Sequence, residues 1–149
     1  MKKFICSVEI NSPVENVVKL FDNPDNLKYW QDGFQSLENI SGKPGEEGVK
    51  SKIVFNNKGR VIELTETIIK KNLPHEMTAL YEHPHMDNYL TTRFIDLGGN
   101  RTRFENEGEY IRFSLVPKVM SVVMPGVFRK PVQKWLNNFK EFVEKNNGS

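Results

Sequence analysis

The sequence predicts an α+β domain in which a curved antiparallel sheet of about seven strands wraps around one long C-terminal helix, with two short helices after the first strand. Three observations predict it. Across residues 34–113 apolar side chains recur at every second position, and Gly, Pro and Asn punctuate the segments as they do between consecutive hairpins. The last third instead carries a sustained three-and-four spacing of apolar residues. Antiparallel strands with one apolar face need a cover, and only that last helix is long enough, so the sheet must curl around it.

Each element has its own signal. KKFICSVEI alternates, with Phe4, Cys6, Val8 and Ile10 on one face and Ser7 and Glu9 on the other, as in a half-buried strand. NSPVENVVKLF then reads as a helix start, with Ser12 as N-cap, Pro13 at the first helical position and Glu15 three residues after the cap. Val14, Val17, Val18 and Phe21 form its apolar stripe. After Pro24 the pattern restarts as a second short helix carrying Leu27 and Trp30.

The strands follow. FQSLENISG and VKSKIVFNN flank the turn KPGEEG, and in the second Val49, Ser51, Ile53 and Phe55 oppose Lys50 and Lys52. VIELTETIIKK places Ile62, Leu64, Glu66 and Ile68 on one face before NLP ends it. HEMTALYEH aligns Met77, Ala79, Tyr81 and His83, and DNYLTTRFIDL aligns Asn88, Leu90, Thr92 and Phe94. After GGN, RTRFENEGEYIRF sets Thr102, Phe104, Asn106, Gly108 and Tyr110 against Arg101, Arg103, Glu105, Glu107 and Glu109. In the closing helix Val119, Met120, Val123, Met124, Val127 and Phe128 form one apolar group, and Val132, Trp135, Leu136, Phe139 and Val143 continue it. Pro125 and Pro131 each remove a backbone donor and should bend or interrupt the first half.

Composition narrows the function classes. A chain of 149 residues is expected to form one domain, 1–149, with room for a core and an internal cavity. Charged residues at 27% and hydrophobic residues at 38% fit neither a disordered chain nor a membrane one. The net charge is +2 and the basic residues are scattered among acidic ones, so no nucleic-acid partner is expected. Cys6 stands alone, which rules out an internal disulfide and fits a reducing cytoplasm. No apolar stretch follows the N-terminal lysines as in a signal peptide, and VMSVVMPGVF is about half a membrane span. A soluble cytoplasmic protein, monomeric or homodimeric and without membrane insertion, is the expectation.

The opening strand followed by SPVENVVKLFDNPDNLKYW, the SGKPGEEGVKSKIVF hairpin, LTETIIKKNLP, the GGNRTRF hairpin and the KWLNNFKEFVE ending together resemble the START-like superfamily, also called SRPBCC. Its helix-grip members include polyketide cyclases and the birch-pollen-allergen type of ligand carrier. The likeness spans nearly the whole chain and rests on order and spacing rather than on any single motif. It implies a cavity between the curled sheet and the long helix, open at one end, where members typically hold an apolar ligand; separately, no prosthetic group is expected. It does not choose a function, because the superfamily hosts carriers, cyclases, dehydratases and chaperone-binding modules.

On the inward faces the expected apolar lining is Phe55, Leu64, Met77, Leu90, Phe94, Phe104, Met120, Met124, Val127 and Phe128, residues that can equally fill a core. Polar residues on the same faces are more telling, since burying a polar group without a partner costs roughly 1–3 kcal/mol. They are Ser51, Glu66, Tyr81, Asn88, Thr92, Asn106 and Tyr110. Glu66, between Leu64 and Ile68, is the candidate general acid or base, because desolvation raises a carboxyl pKa. The competing reading pairs it with an arginine such as Arg60 or Arg93. Asn106 and Tyr110 can fix a ligand carbonyl or hydroxyl, or bond to neighbouring backbone.

Other constellations carry less. Cys6 has no evident base beside it, and no Gly-rich loop joins a strand to a helix. His83, His85 and Asp87 alternate as metal ligands on a strand would, but Pro84 interrupts the ladder and no fourth ligand is visible, so a hairpin is expected there rather than a metal site. Three functions stay open. One is binding of an apolar or aromatic small molecule, lipid- or polyketide-like. The second is a cyclase or dehydratase with Glu66 as acid/base and Tyr81, Asn106 or Tyr110 stabilising an enolate. The third is a chaperone-activating interaction module. An enclosed cavity favours the first two, and a packed interior the third.

Overall fold

A computed structural model describes residues 2–113 and 129–146. Strand β1 (Lys2–Ile10) is followed by α1 (Val14–Phe21), a 3-10 turn (Pro24–Asn26) and α2 (Leu27–Trp30). Six strands come next: β2 (Phe34–Ser41), β3 (Lys50–Asn57), β4 (Arg60–Asn72), β5 (Glu76–His83), β6 (Met86–Gly98) and β7 (Arg101–Phe113). Helix α3 (Arg129–Lys145) closes the described chain. The strands form one antiparallel sheet in the order β1-β7-β6-β5-β4-β3-β2, the expected α+β arrangement. The part of the expected last helix that precedes residue 129 lies outside the described residues.

Bulges bend the sheet. Register shifts interrupt β2 between Phe34 and Ser36, β4 between Ile68 and Lys70, and β6 between Asp96 and Gly98. Each inserted residue kinks its strand and raises the local twist, which turns the flat ladder into a trough. At one end of that trough α3 presses Leu136, Phe139 and Val143 inward, all fully buried. The Phe139 ring meets Phe104 at 5.0 Å, Trp30 at 5.1 Å and Phe21 at 5.9 Å, largely edge to face. Cys6, Ile10, Val17 and Phe94 complete this core.

Helix α3 also covers the free edge of β1. The carbonyls of Ile5, Ser7 and Glu9, at alternate positions, accept from Arg129 Nε at 3.2 Å, Gln133 Nε2 at 3.1 Å and Lys140 Nζ at 2.6 Å. Long polar side chains thus stand where another strand could pair, which blunts an edge that otherwise invites association.

Ser12 departs from the expected cap. It is fully buried, and the helix begins at Val14 with no side-chain cap bond. Its hydroxyl accepts from Asn16 Nδ2 at 2.8 Å, while its carbonyl accepts from Thr102 Oγ1 at 2.8 Å. The serine therefore ties the strand-to-helix corner to β7, and that buried tie replaces the reciprocal capping box.

Candidate functional site

Beyond the packed end the described residues leave the trough open. A cavity of about 460 Å³ lies between the inner faces of β3–β7 and the three helices. Register explains its polar wall. Ser51 stands opposite Glu66, Glu66 opposite Tyr81, Tyr81 opposite Asn88, and Asn88 opposite Tyr110. Five polar side chains thus cross five strands in one row, and all five border the cavity. The neighbouring row is Ile68, Ala79, Leu90 and Gly108, apolar throughout. Beyond it Thr92 and Asn106 pair, Thr92 Oγ1 donating to Asn106 Oδ1 at 2.8 Å.

The facing wall is aromatic. Trp30 and Trp135 meet at right angles with ring centres 6.4 Å apart, and Trp135 packs on Phe55 at 5.3 Å. Both tryptophans border the cavity, with Phe21, Leu27 and Val132 beside them. At the rim, Lys71 Nζ donates to Asp22 Oδ1 at 2.8 Å and to the Gly45 carbonyl at 2.7 Å. This joins the end of α1 to the β2–β3 loop.

The centre of the polar row is a hydrogen-bonded pair. Tyr81 Oη donates to Glu66 Oε2 at 2.7 Å. Burial pushes the Glu66 carboxyl above the usual range, and the Tyr81 bond only partly offsets that. Burial first, and then the Glu66 charge and bond, hold the Tyr81 phenol well above its ordinary value. Burial likewise pushes Tyr110 up to about 12, with a smaller contribution from Cys6. Both phenols therefore serve as hydrogen-bond donors at neutral pH, and Glu66 is the group in this row poised to exchange a proton.

No protein-family model matches the chain, and no curated protein matches it in sequence. Solved structures match its shape over nearly its whole length. The Zhui aromatase/cyclase from Streptomyces sp. R1128 superposes with a TM-score of 0.79 at 11% identity, covering 97% of this chain and 94% of its own. Ara h 8.0201 gives 0.76 at 13% identity, covering 97% and 99%. Norcoclaurine synthase from Thalictrum flavum, in complex with dopamine and hydroxybenzaldehyde, gives 0.73 at 16% identity, covering 99% and 89%. The chain has the helix-grip fold.

Within this helix-grip frame, eleven of the residues expected to face a ligand border the cavity: Ser51, Phe55, Leu64, Glu66, Met77, Tyr81, Asn88, Leu90, Thr92, Asn106 and Tyr110. Phe94 and Phe104 do not. They face inward but stack on each other at 5.0 Å in the packed core beneath α3, so that end of the trough is filled. Met120, Met124, Val127 and Phe128 lie outside the described residues. Of the arginines expected as alternative partners of Glu66, Arg60 and Arg93, the second is engaged elsewhere, bonding Glu105 and Glu107, and the Glu66 bond comes from Tyr81 instead. Trp30, Trp135, Ile53, Ala79, His83 and Met86 also border the cavity. The sequence reading placed Trp30 and Trp135 only on apolar helix stripes, and the three-residue step from Val132 to Trp135 was the available signal.

The His-Pro-His segment forms the β5–β6 turn. His85 N–H donates to His83 Nδ1 at 3.1 Å, so that nitrogen is already occupied. Asp87 instead takes Arg112, Nε to Oδ2 at 2.8 Å, and the same guanidinium donates to the His83 carbonyl at 2.6 Å. Arg112 clamps the hairpin tip, and the three side chains do not converge. Burial, with His85 and Arg112 adding to it, lowers the His83 pKa, so the imidazole bordering the cavity is neutral at neutral pH.

Proposed function

We propose that the protein binds an apolar or aromatic small molecule in its central cavity, in the cytoplasm and without a prosthetic group. The observation that carries this is the cavity itself: about 460 Å³, aromatic on one wall and crossed by one polar row on the other. Apolar walls supply affinity by releasing water, and a few fixed polar groups set orientation. An open interior of this size also speaks against the interaction-module reading, which calls for a filled core. The buried free thiol of Cys6 supports a reducing setting. Native mass spectrometry of protein purified from its own host tests the proposal. A co-purified small molecule released on denaturation is the expected result, and its absence under every purification condition counts against binding.

The Tyr81–Glu66 pair favours a second reading, a cyclase or dehydratase acting on a polyketide-like substrate. Ionised, a Glu66 carboxylate of raised pKa held by a phenol in the cavity can take a proton from a carbon next to a carbonyl. Asn106 or Tyr110 would then hold the enolate oxygen. Turnover left unchanged by Glu66→Gln sinks that assignment.

A further inference from the structure

The ionisable groups that border the cavity are few and unbalanced. Among the described residues they are Asp22, Glu66, Lys71, His83 and the phenols Tyr81 and Tyr110. Lys71, the lone ammonium or guanidinium among them, sits at the rim and is engaged by Asp22 and the Gly45 carbonyl. No lysine or arginine among the described residues bonds Glu66, whose partner there is the uncharged Tyr81. Tyr81 occupies Oε2, and Oε1 has no partner among the described residues. Among the described residues, this carboxyl thus borders the cavity with one oxygen available and no lysine or arginine bonded to it. The rings of Trp30, Trp135 and Phe55 border the same cavity. Ring faces are negative and attract cations, Trp most strongly.

The structure points to a ligand that supplies the missing cation: we infer that the cavity selects arylalkyl amines, the ammonium against Glu66 and the aryl group among the aromatic rings. This rests on the ligand-binding reading and narrows its ligand class. If Glu66 holds a proton in the empty cavity, an arriving ammonium displaces that proton to solvent and leaves an ion pair. Desolvated charge pairs of good geometry are favourable where a lone buried charge is costly, so the preference should be large. Asn88, beside Tyr81 in the row, makes no side-chain hydrogen bond among the described residues and offers a carbonyl for a second ammonium N–H.

Three probes of one shape test it: biphenylmethylamine, biphenylmethanol and biphenylcarboxylate. The chain holds 2 tryptophans and both border the cavity, so their emission reports occupancy. In the unmodified protein the amine should bind about tenfold or more tighter than the alcohol, and the carboxylate weakest. In Glu66→Gln the amine-to-alcohol ratio should fall to within about twofold. An amine no tighter than the alcohol, or a carboxylate tighter than both, overturns the inference while leaving the cavity a binding site. An amine preference that survives Glu66→Gln overturns the role of Glu66. If none of the three changes the emission or binds by calorimetry, the ligand-binding reading falls and this inference with it.

Discussion

Tyr81 and Glu66 stand opposite each other on β5 and β4, and the phenol donates to Glu66 Oε2 at 2.7 Å. The bond favours the ionised carboxylate, yet burial outweighs it and the carboxyl pKa ends above its usual range. Tyr81→Phe removes the stabilising partner and keeps the ring. The Glu66 pKa should therefore climb further, which carbon-detected NMR titration of the carboxyl would report. Stability should drop by about 1 kcal/mol, the net worth of such a bond. A Glu66 pKa unmoved by the substitution would mean that the phenol does not touch the carboxyl in solution.

The same residue sets a pH dependence. An acid whose pKa is higher in the folded state holds its proton more tightly when folded, so ionising it costs stability. Below the ordinary value of 4.5 both states are protonated and Glu66 contributes nothing. As pH rises through that value toward the raised one the penalty grows, and above the raised one it is fully present. Glu66→Gln removes it. Urea unfolding should show the variant gaining on the parent protein as pH rises above 4.5, with little difference at the acid end. A constant difference across that range would place the carboxyl in water.

Phe139 tests the closed end of the trough. It is fully buried among Phe21, Trp30 and Phe104. Phe139→Ala removes a ring from a packed cluster and leaves a void beside an existing cavity. A loss of about 3–5 kcal/mol in unfolding free energy is expected. A loss under about 1 kcal/mol would mean that α3 is not seated on this face.

Alternation made the inward faces legible. Glu66, Tyr81, Asn88 and Tyr110 could each be placed on the inner side because a strand has period two. Their alignment into one row was not legible. It depends on register, and the bulge between Ile68 and Lys70 shifts β4 against β5 in a way no local pattern announces. Nor does alternation say where along a face a residue falls. Phe94 and Phe104 point inward like Leu90, but α3 fills their end of the trough, while Leu90 borders the cavity. Pro84 did carry its message: it marked a turn, and the Asp87 carboxylate took Arg112 and the His83 backbone N–H rather than either imidazole. Ser12 misled because the cap signature looks the same whether the hydroxyl meets helix N–H groups or, as here, Asn16.

Lys71 links dynamics to access. Its ammonium joins Asp22 at the end of α1 to Gly45 in the β2–β3 loop, and its backbone N–H donates to Glu47 Oε2 at 3.1 Å. Lys71→Ala deletes the first two bonds and keeps the third. A partly exposed rim ion pair contributes modestly to global stability, so the unfolding free energy should change by about 1 kcal/mol or less. The loop should loosen all the same, because local opening is set by local contacts. Hydrogen exchange at the Glu46, Gly48 and Val49 amides, which bond Lys43, Ile68 and Glu46 carbonyls, should quicken while the Phe104 amide in β7 stays protected. Stopped-flow release of a bound aromatic probe should quicken in parallel, since Lys71, Asp22 and Gly45 all border the cavity. Unchanged exchange at those three amides would show that Glu47 and the strand pairing hold the loop without the ammonium.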